Sequence, residues 1–288
     1  MSFETVLPAQ AALGECPLWS VREKLLWWVD IEGFTLNRFD PATGERRALD
    51  IGEHVGCVGL RAGGGFIAGL RSGLWLLDGE GRKQRFIADP QEDNTLSRFN
   101  DGRVDPWGRF WAGTMHEPRD RPAAALYRVD TDLTVEKLAS EVTVSNGLAF
   151  APDRSVAYHA DTPAHVIYRY KLDSTGRPGA REVFRQFPLG NGRPDGAAVD
   201  EDGCYWSALY EGGRVVRLSP EGEIMAEYPV PARCPTMIAF GGADLRTLFV
   251  TSARHNRPAA ELEEWPESGN LFAMRAPVAG LPEPEFAG

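Results

Sequence analysis

The chain has 288 residues, of which 43% are hydrophobic and 25% charged, a balance that allows a large core and excludes general disorder. Its 41 acidic against 31 basic residues give a formal net charge of −10, which repels phosphate backbones and anionic lipids, so neither nucleic acid nor a membrane is an expected partner. No apolar run approaches the roughly 20 residues that span a bilayer, and no signal peptide is evident, so we predict a cytoplasmic protein.

Short strand-like segments follow one another along the chain, rich in aromatic or β-branched residues and bounded by glycine, proline or aspartate. In chain order they include LLWWVDI, GFIAGL, LWLLD, RFWAGTM, HVIYRYKL, YWSALY, RVVRL and TLFVTS. The best helical candidate, RPAAELEEW at residues 257–265, is short. The sequence therefore predicts an all-β fold.

Two classes of turn alternate between these strands. The first class lies near residues 21, 63, 106, 153, 201 and 243, at spacings of 42, 43, 47, 48 and 42 residues. The second falls between them, near 39, 77, 129, 172, 218 and, more weakly, 276. Six repeats of about 45 residues with two hairpin turns each are typical of propeller blades. We predict a single domain over residues 1–288, an all-β six-bladed β-propeller with four antiparallel strands per blade, rather than a β-sandwich.

The two chain ends are predicted to meet in the sixth blade. The last segment, LPEPEF, contains two prolines that cannot donate to a strand ladder. The N-terminal FETVL is the better strand, so we expect it to supply the outermost strand of the sixth blade and close the ring.

Polar residues recur at one phase of the repeat. The first strand of each blade lines the channel of a propeller, so residues six or seven positions before each first-class turn should meet near the axis. In blade order they are Glu15, Gly56 or Cys57, Asn100, Asn146, Asp195 and Thr236. Two carboxylates with amide oxygens suit Ca²⁺, Mg²⁺ or Mn²⁺ and leave Zn²⁺ or Fe²⁺ open, so we predict one divalent metal ion. Taken alone, Asn146 and Asp195 would be turn formers before glycine.

The second strand of each blade returns to the same end of the channel, so its last residues should form a polar rim. These residues are Asp30, Arg71, His116 with Glu117, Asp161, Tyr210 with Glu211, and Arg254 with His255. They suit a hydroxyl-rich ligand, and the two arginines leave room for an anionic one. By strand alternation, Asp101 can point away from the site.

The four cysteines lie far apart and form no C-x-x-C pair, so we expect reduced thiols. Three of them, Cys16, Cys57 and Cys234, share the inner phase of the repeat. We expect them to pack as small apolar residues rather than to bind a softer metal.

Six motifs, spread in order over the whole chain, carry a resemblance to a known family. They are LGECPLW, RFNDGRVDPWGRFWAGTM, SNGLAFAPD, YHADT, RPDGAAVDEDG and FGGADLRTLFVTSA. Together they resemble the senescence marker protein (regucalcin) and gluconolactonase family of six-bladed propellers. The resemblance implies a divalent metal held by Glu15, Asn146 and Asp195, with Arg98 and Asn100 contacting the substrate. After GTM some members carry two consecutive acidic residues, whereas this chain has HEP. Glu117 can stand in for the first of them, but Pro118 cannot stand in for the second.

The resemblance implies a sugar lactonase, a carboxylic-ester hydrolase of the gluconolactonase type that opens an aldonolactone to the sugar acid. The metal would polarise the lactone carbonyl, and Asp195 is the expected general base. Substrate contacts are expected from Arg98, Asn100, His116 and Glu117. Pentono-, hexono- and aldarolactones stay open as substrates, as does the oligomeric state. Two alternatives remain: a calcium-binding regulatory propeller without turnover, and a metal-dependent esterase or organophosphate hydrolase on the same scaffold.

Overall fold

Six four-stranded antiparallel sheets make up the computed structural model, which describes residues 2–288. Each sheet is one blade, and the first strands of neighbouring blades contact one another around the ring. The predicted all-β six-bladed propeller with four antiparallel strands per blade is thereby confirmed.

The strands of the first three blades follow a short initial strand. They are β1 (Glu4–Leu7), which belongs to blade 6; β2 (Gly14–Ser20), β3 (Leu25–Asp30), β4 (Thr35–Phe39) and β5 (Arg46–Asp50) in blade 1; β6 (Val55–Leu60), β7 (Phe66–Leu70), β8 (Gly73–Leu77) and β9 (Lys83–Ala88) in blade 2; and β10 (Ser97–Val104), β11 (Phe110–His116), β12 (Ala124–Val129) and β13 (Val135–Val142) in blade 3.

The second half of the chain repeats this order. Its strands are β14 (Ser145–Phe150), β15 (Val156–Asp161), β16 (Val166–Leu172) and β17 (Pro178–Gln186) in blade 4; β18 (Arg193–Val199), β19 (Tyr205–Tyr210), β20 (Arg214–Leu218) and β21 (Ile224–Pro229) in blade 5; and β22 (Pro235–Gly241), β23 (Thr247–Ser252) and β24 (Leu271–Arg275) in blade 6. The inner strands β2, β14 and β22 are buried throughout, whereas the outer strands β5 and β9 are largely exposed.

The N-terminal strand closes the ring, as predicted. Strand β1 pairs antiparallel with β24 and forms the outermost strand of blade 6. Glu4 lies opposite Ala273, and Leu7 lies opposite Leu271. The sixth blade thus joins residues from both ends of the chain, and its inner strand β22 contacts β2 of blade 1.

The turns between the first and second strands are fixed by an aspartate in blades 3 and 5. The Asp105 carboxylate accepts hydrogen bonds from the backbone N–H of Trp107 and from the indole Nε1 of Trp111, both at 2.9 Å. Asp200 accepts the equivalent bond from Trp206 Nε1 at 2.7 Å. The DPWG turn is therefore a structural blade turn at the end of the channel opposite the convergent polar residues.

The chain after β24 crosses the end of the channel where these turns lie. The backbone N–H of Phe286 donates to the carbonyl of Leu60 at 2.7 Å, and that of Ala287 donates to the carbonyl of Gly108 at 3.0 Å. The Phe286 side chain is completely buried. The LPEPEF segment is therefore not a blade strand but a cover over the far end of the channel.

A β-bulge interrupts the inner strand of every blade near the other end of the channel. At this point the inner strand has one more residue than its partner, which leaves backbone unpaired and redirects side chains. The register shifts fall between Glu15 and Leu18, Val55 and Cys57, Phe99 and Gly102, Asn146 and Ala149, Pro194 and Ala197, and Pro235 and Ile238. The bulges coincide with the polar phase of the repeat.

One short helix, α1 (Ala259–Glu264), lies within the predicted segment 257–265. It connects β23 to β24 on the side of the channel mouth. Across residues 2–288, no helix has both the length and the apolar character needed to cross a membrane.

Candidate functional site

A cavity of about 500 Å³ occupies the mouth of the channel, where the first strands begin. Five of the six blades contribute to its wall. The polar wall residues are Glu15, Glu32, Arg98, Asn100, Glu117, Arg119, Asn146, Thr162, Arg193, Asp195, Tyr210, Glu211, His255, Asn256 and Arg257. The volume is that of a pocket for a small polar molecule.

The three predicted metal ligands line this cavity together. Glu15, Asn146 and Asp195 come from blades 1, 4 and 5, lie at the bulges, and are 8%, 3% and 4% exposed. Within residues 2–288, neither carboxylate forms an ion pair. The carboxylate of Glu15 accepts one hydrogen bond, from the backbone N–H of Cys16 at 3.3 Å.

Burial and mutual repulsion raise the pKa of both carboxyl groups. Burial is the larger cause for Glu15, followed by the charges of Asp195 and Asp101, and its pKa lies well above the usual value. The pKa of Asp195 is also well above its usual value, because of burial and then the charge of Asp101, with Arg193 acting in the opposite sense. A cation between the two groups would favour their charged forms.

The donor set fits a hard divalent cation. In residues 2–288 no group of three His, Cys, Asp or Glu side chains could hold a metal ion, so a metal here needs amide oxygen as well as the two carboxylates. Asn146 supplies that oxygen beside Glu15 and Asp195. Carboxylate oxygens that form no ion pair, together with an amide oxygen, are typical ligands of Ca²⁺ and Mg²⁺. The same set of ligands can also bind other divalent ions.

A chain of hydrogen bonds fixes the orientation of the Asn146 amide. Asn100 Nδ2 donates to Asn146 Oδ1 at 2.8 Å, and Asn146 Nδ2 donates to Thr162 Oγ1 at 2.7 Å. The Thr162 hydroxyl in turn donates to the carbonyl of Pro194 at 2.8 Å. The amide oxygen keeps a second lone pair for a ligand. The sequence did not point to Thr162, although it directly follows the rim residue Asp161.

Arg98 and Glu117 form a second polar group on the wall. Arg98 is 3% exposed, and its Nη1 donates to Asn100 Oδ1 at 2.9 Å. Its Nε lies 3.8 Å from Glu117 Oε1, and Glu117 also pairs with Arg71. Burial lowers the pKa of Arg98 to about 10, so the group remains charged at neutral pH. Burial raises the pKa of Glu117, but the hydrogen bond and charge of Arg71 outweigh it and hold that pKa below the usual value.

His116, predicted to contact the substrate, does not lie with these residues. Successive residues of a strand point to opposite faces, so Met115 and Glu117 face the cavity while His116 faces away. His116 lines a separate cavity of about 440 Å³, and its Nε2 lies 2.8 Å from Asp120 Oδ1. We therefore correct this prediction: His116 anchors the loop after β11.

Two of the predicted rim residues bind the backbone instead of facing the cavity. The Asp30 carboxylate accepts hydrogen bonds from the backbone N–H groups of residues 12 and 13, at 2.9 Å each. Asp161 accepts the equivalent bonds from residues 143 and 144, at 3.0 and 3.1 Å. Both aspartates thus hold the segment that leads into the inner strand of their own blade.

The other rim residues divide in the same way. Tyr210, Glu211 and His255 line the cavity. Arg71 binds Glu117 from outside the wall, and the guanidinium of Arg254 binds Gln10. The rim prediction was thus right for at least one residue of each predicted pair, but neither arginine that suggested an anionic ligand lines the cavity.

Asp101 lies below the cavity and does not turn away from the channel. Its Oδ2 accepts a hydrogen bond from the backbone N–H of Leu148 in blade 4 at 2.9 Å, and its Oδ1 is buried without a partner in residues 2–288. Burial raises the pKa of Asp101 to about 6. The bulge between Phe99 and Gly102 breaks the strand alternation that would otherwise point it outward.

All four cysteines are free and buried, as expected for reduced thiols. Cys16 Sγ accepts a hydrogen bond from the backbone N–H of Val58 at 3.3 Å. Burial raises the pKa of the Cys16 and Cys57 thiols, which keeps them protonated. They pack against the inner strands as small apolar residues, as predicted.

Three arginines that the sequence did not single out line the cavity: Arg119, Arg193 and Arg257. Arg193 and Arg257 both pair with Glu211, at 2.8 and 2.7 Å. Arg193 could have been noted because it stands two positions before Asp195 on the same inner strand. Arg119 lies in the loop after β11, two positions after the rim residue Glu117.

Comparison with known proteins places the chain in a family. The sequence model described as SMP-30/Gluconolactonase/LRE-like region matches residues 13–254. The chain is 55% identical to a 6-deoxy-6-sulfogluconolactonase from Pseudomonas putida over 288 residues, covering 100% of this chain and 99% of the relative. It is 37% identical to the pentonolactonase XacC of Haloferax volcanii, covering 99% and 98% of the two chains.

Solved structures agree. A calcium-binding protein, regucalcin, from Agrobacterium tumefaciens superposes with a TM-score of 0.93 at 29% identity, covering 98% of this chain and 96% of that one. The fold, the order of the motifs and the matched region are therefore consistent with one another. The chain belongs to the SMP-30/gluconolactonase family, as its motifs indicated.

Proposed function

We propose that this protein is a metal-dependent sugar lactonase, which hydrolyses an aldonolactone to the open sugar acid. The observation that carries the proposal is the pair of buried carboxylates, Glu15 and Asp195, without an ion-pair partner in residues 2–288 and beside the amide of Asn146 in a polar cavity. The lactonase relatives at 55% and 37% identity agree with the predicted class of carboxylic-ester hydrolase.

In this proposal, Glu15, Asn146 and Asp195 hold one divalent ion, with Ca²⁺, Mg²⁺, Mn²⁺, Zn²⁺ and Fe²⁺ as candidates. Such an ion, when bound, supplies a Lewis acid for a carbonyl oxygen. Asp195 takes the proton of the attacking water on a carboxylate oxygen, and it lines the cavity that such a water would enter. Water supplies the hydroxyl that becomes part of the product carboxylate, and the ring oxygen leaves as the sugar hydroxyl.

Arg98, Asn100 and Glu117 orient the sugar in this proposal. Their donors and acceptors face one cavity, and the bond from Arg98 to Asn100 fixes both side chains before a ligand arrives. Fixed polar groups reduce the entropy lost on binding. Two relatives are named for a sulfonated hexonolactone and a pentonolactone, so both classes are candidate substrates.

A pH-indicator assay over a panel of sugar lactones tests the proposal. We expect hydrolysis above the spontaneous rate, lost with a chelator and restored by one of the candidate divalent ions. Replacing Asp195 with Ala should abolish it as well. Full activity after chelation or in Asp195→Ala would overturn the mechanism, and no turnover of any lactone would overturn the activity.

A second candidate is a calcium-binding propeller without turnover. It is favoured by the similarity to the Agrobacterium protein described as calcium-binding. It requires calcium binding that Glu15→Gln removes, together with no lactone hydrolysis with any of the ions. The lactone panel therefore separates the two candidates directly.

A further inference from the structure

Arg119 differs from the other arginines of the cavity wall in its contacts. Arg98 bonds to Asn100, while Arg193 and Arg257 pair with Glu211. Within residues 2–288, the Arg119 side chain makes no hydrogen bond or ion pair. It is exposed, and it lines the same cavity as the other three.

The carboxylates near Arg119 do not compensate its charge. Glu117, two residues earlier, pairs with Arg71. Asp195, another carboxylate of the same wall, forms no ion pair with Arg119 in residues 2–288. Arg119 therefore presents an unpaired guanidinium to any molecule that fills the cavity.

The loop that carries Arg119 is held in place. The backbone N–H of Arg119 donates to the carbonyl of His116 at 3.0 Å, and the His116 ring binds Asp120 at 2.8 Å. Pro118 precedes Arg119, and its ring fixes one backbone angle of the loop. Arg119 itself has a φ of 56°, a left-handed conformation that is unfavourable for a residue with a side chain. A turn held in this way fixes the point at which the Arg119 side chain leaves the backbone.

A free guanidinium in a sugar-sized cavity is suited to a substrate with a negative group. Its planar fork of N–H donors matches the oxygens of a sulfonate or a carboxylate, and such charged hydrogen bonds are stronger than neutral ones. Neutral hydroxyls alone would leave the charge of Arg119 uncompensated in the complex.

We infer that Arg119 is a specificity-determining residue, which selects sugar lactones carrying an anionic substituent, sulfonate or carboxylate. This inference rests on the proposed lactonase function and adds to it a recognition element in the loop after β11. It assigns to His116 and Asp120 the task of positioning that loop.

The test compares three lactones: 6-deoxy-6-sulfogluconolactone, glucarolactone and gluconolactone. The variants are Arg119→Gln and, as a matched control, Arg121→Gln, which removes the same charge from the same loop but faces the other cavity. We expect Arg119→Gln to lower the ratio of kcat/KM for an anionic lactone to that for gluconolactone by about 10- to 100-fold. Arg121→Gln should leave the ratio unchanged, and Arg119→Lys should restore part of it.

Each outcome either supports or contradicts the role of Arg119. A preference of the wild type for either anionic lactone supports the inference, and the preferred one identifies sulfonate or carboxylate. An unchanged ratio in Arg119→Gln overturns it, and so does an equal loss in Arg121→Gln, because net charge would then explain the effect. Calorimetric binding of 6-deoxy-6-sulfogluconate and gluconate is the independent readout. If the wild type hydrolyses no lactone, the proposed function fails, whereas equal binding of both acids by wild type and Arg119→Gln refutes the role of Arg119.

Discussion

The two ends of the channel are built from the same six inner strands but are filled differently. At the far end, the Asp105 and Asp200 carboxylates accept bonds from turn backbone and indole groups, and Phe286 of the crossing C-terminal segment has a completely buried side chain. At the mouth, the Glu15 and Asp195 carboxylates are almost as buried, but in residues 2–288 Glu15 accepts one bond, from the backbone N–H of Cys16, and Asp195 accepts none.

The comparison shows which buried carboxylates stabilise the folded chain and which lower its stability. A buried carboxylate that accepts several hydrogen bonds stabilises the folded chain, whereas one that faces other buried carboxylates destabilises it unless a cation arrives. Since each blade has the same four strands, the contrast comes from the bulges at the mouth and from the covering segment at the far end. Buried ionisable groups with perturbed pKa values of this kind are concentrated at functional sites.

The largest expected effect comes from the mouth. Replacing Asp195 with Asn should lower kcat by about 1,000-fold, since it removes the proposed base. The same change should raise the free energy of unfolding of the metal-free protein by about 1 kcal/mol, because it removes repulsion with Glu15 and Asp101. Lactone assays and urea titrations measure the two quantities.

Asp161→Asn is the matched control for Asp195→Asn. Asp161 is also 4% exposed, but its carboxylate binds two backbone N–H groups. We expect this variant to be destabilised. Equal destabilisation of both variants would contradict the proposed contrast between unpaired and paired carboxylates.

The next effect comes from the far end. Phe286→Ala should lower the free energy of unfolding by about 3–5 kcal/mol, because it leaves a cavity beneath the covering segment. The folded fraction should keep its kcat, since Phe286 is distant from the mouth. Phe86→Ala, on the outer strand of blade 2 and 49% exposed in the wild type, is the control and should cost far less. A loss of kcat at full folding would mean that the two ends are coupled.

The free energy of unfolding should fall in acid because of His159, a buried residue of β15. Burial lowers the pKa of His159 to about 3, and its Nε2 lies 2.7 Å from Ser145 Oγ. Below about pH 6.5 the unfolded chain binds a proton at this histidine and the folded chain does not. The free energy of unfolding therefore keeps its full value above that pH. It falls by about 1.4 kcal/mol per pH unit on acidification, down to about pH 3.

His159→Gln removes this titration. In urea titrations at pH 7 and pH 5, the stability difference between wild type and variant should therefore shrink by about 2 kcal/mol at the lower pH. A difference that stays constant would show that His159 is protonated in the folded state.

The smallest effect concerns the hydrogen-bond chain at the mouth. Thr162→Val removes the acceptor for Asn146 Nδ2, so the amide is no longer held with its oxygen toward the cavity. We expect divalent metal affinity, measured by calorimetry, to fall about tenfold. Thr162→Ser keeps the hydroxyl and should restore the affinity. Failure of serine to rescue would mean that Thr162 acts through packing and not through the hydroxyl.

Several features of the site could be foreseen because they depend on the repeat. The turn spacing placed Glu15, Asn100, Asn146 and Asp195 at one depth of the channel, and all four line the cavity. The prediction failed at His116, because the face of β11 to which a side chain points depends on the strand register, which the sequence does not show. It also missed Thr162, since a hydroxyl group next to a rim aspartate has no distinctive pattern.

The sequence alone determined the number of blades, the closure of the ring by the N-terminal strand and the convergence of the inner-strand polar residues, because turn residues and strand periodicity are local properties. The tertiary structure decided which rim side chains bind backbone, which carboxylates stay unpaired and which arginine keeps a free charge. Those outcomes depend on partners distant in the chain, such as Arg257 with Glu211 and Thr162 with Pro194. The local sequence pattern determines which strand position a side chain occupies. Its neighbours in other blades determine what it can bind.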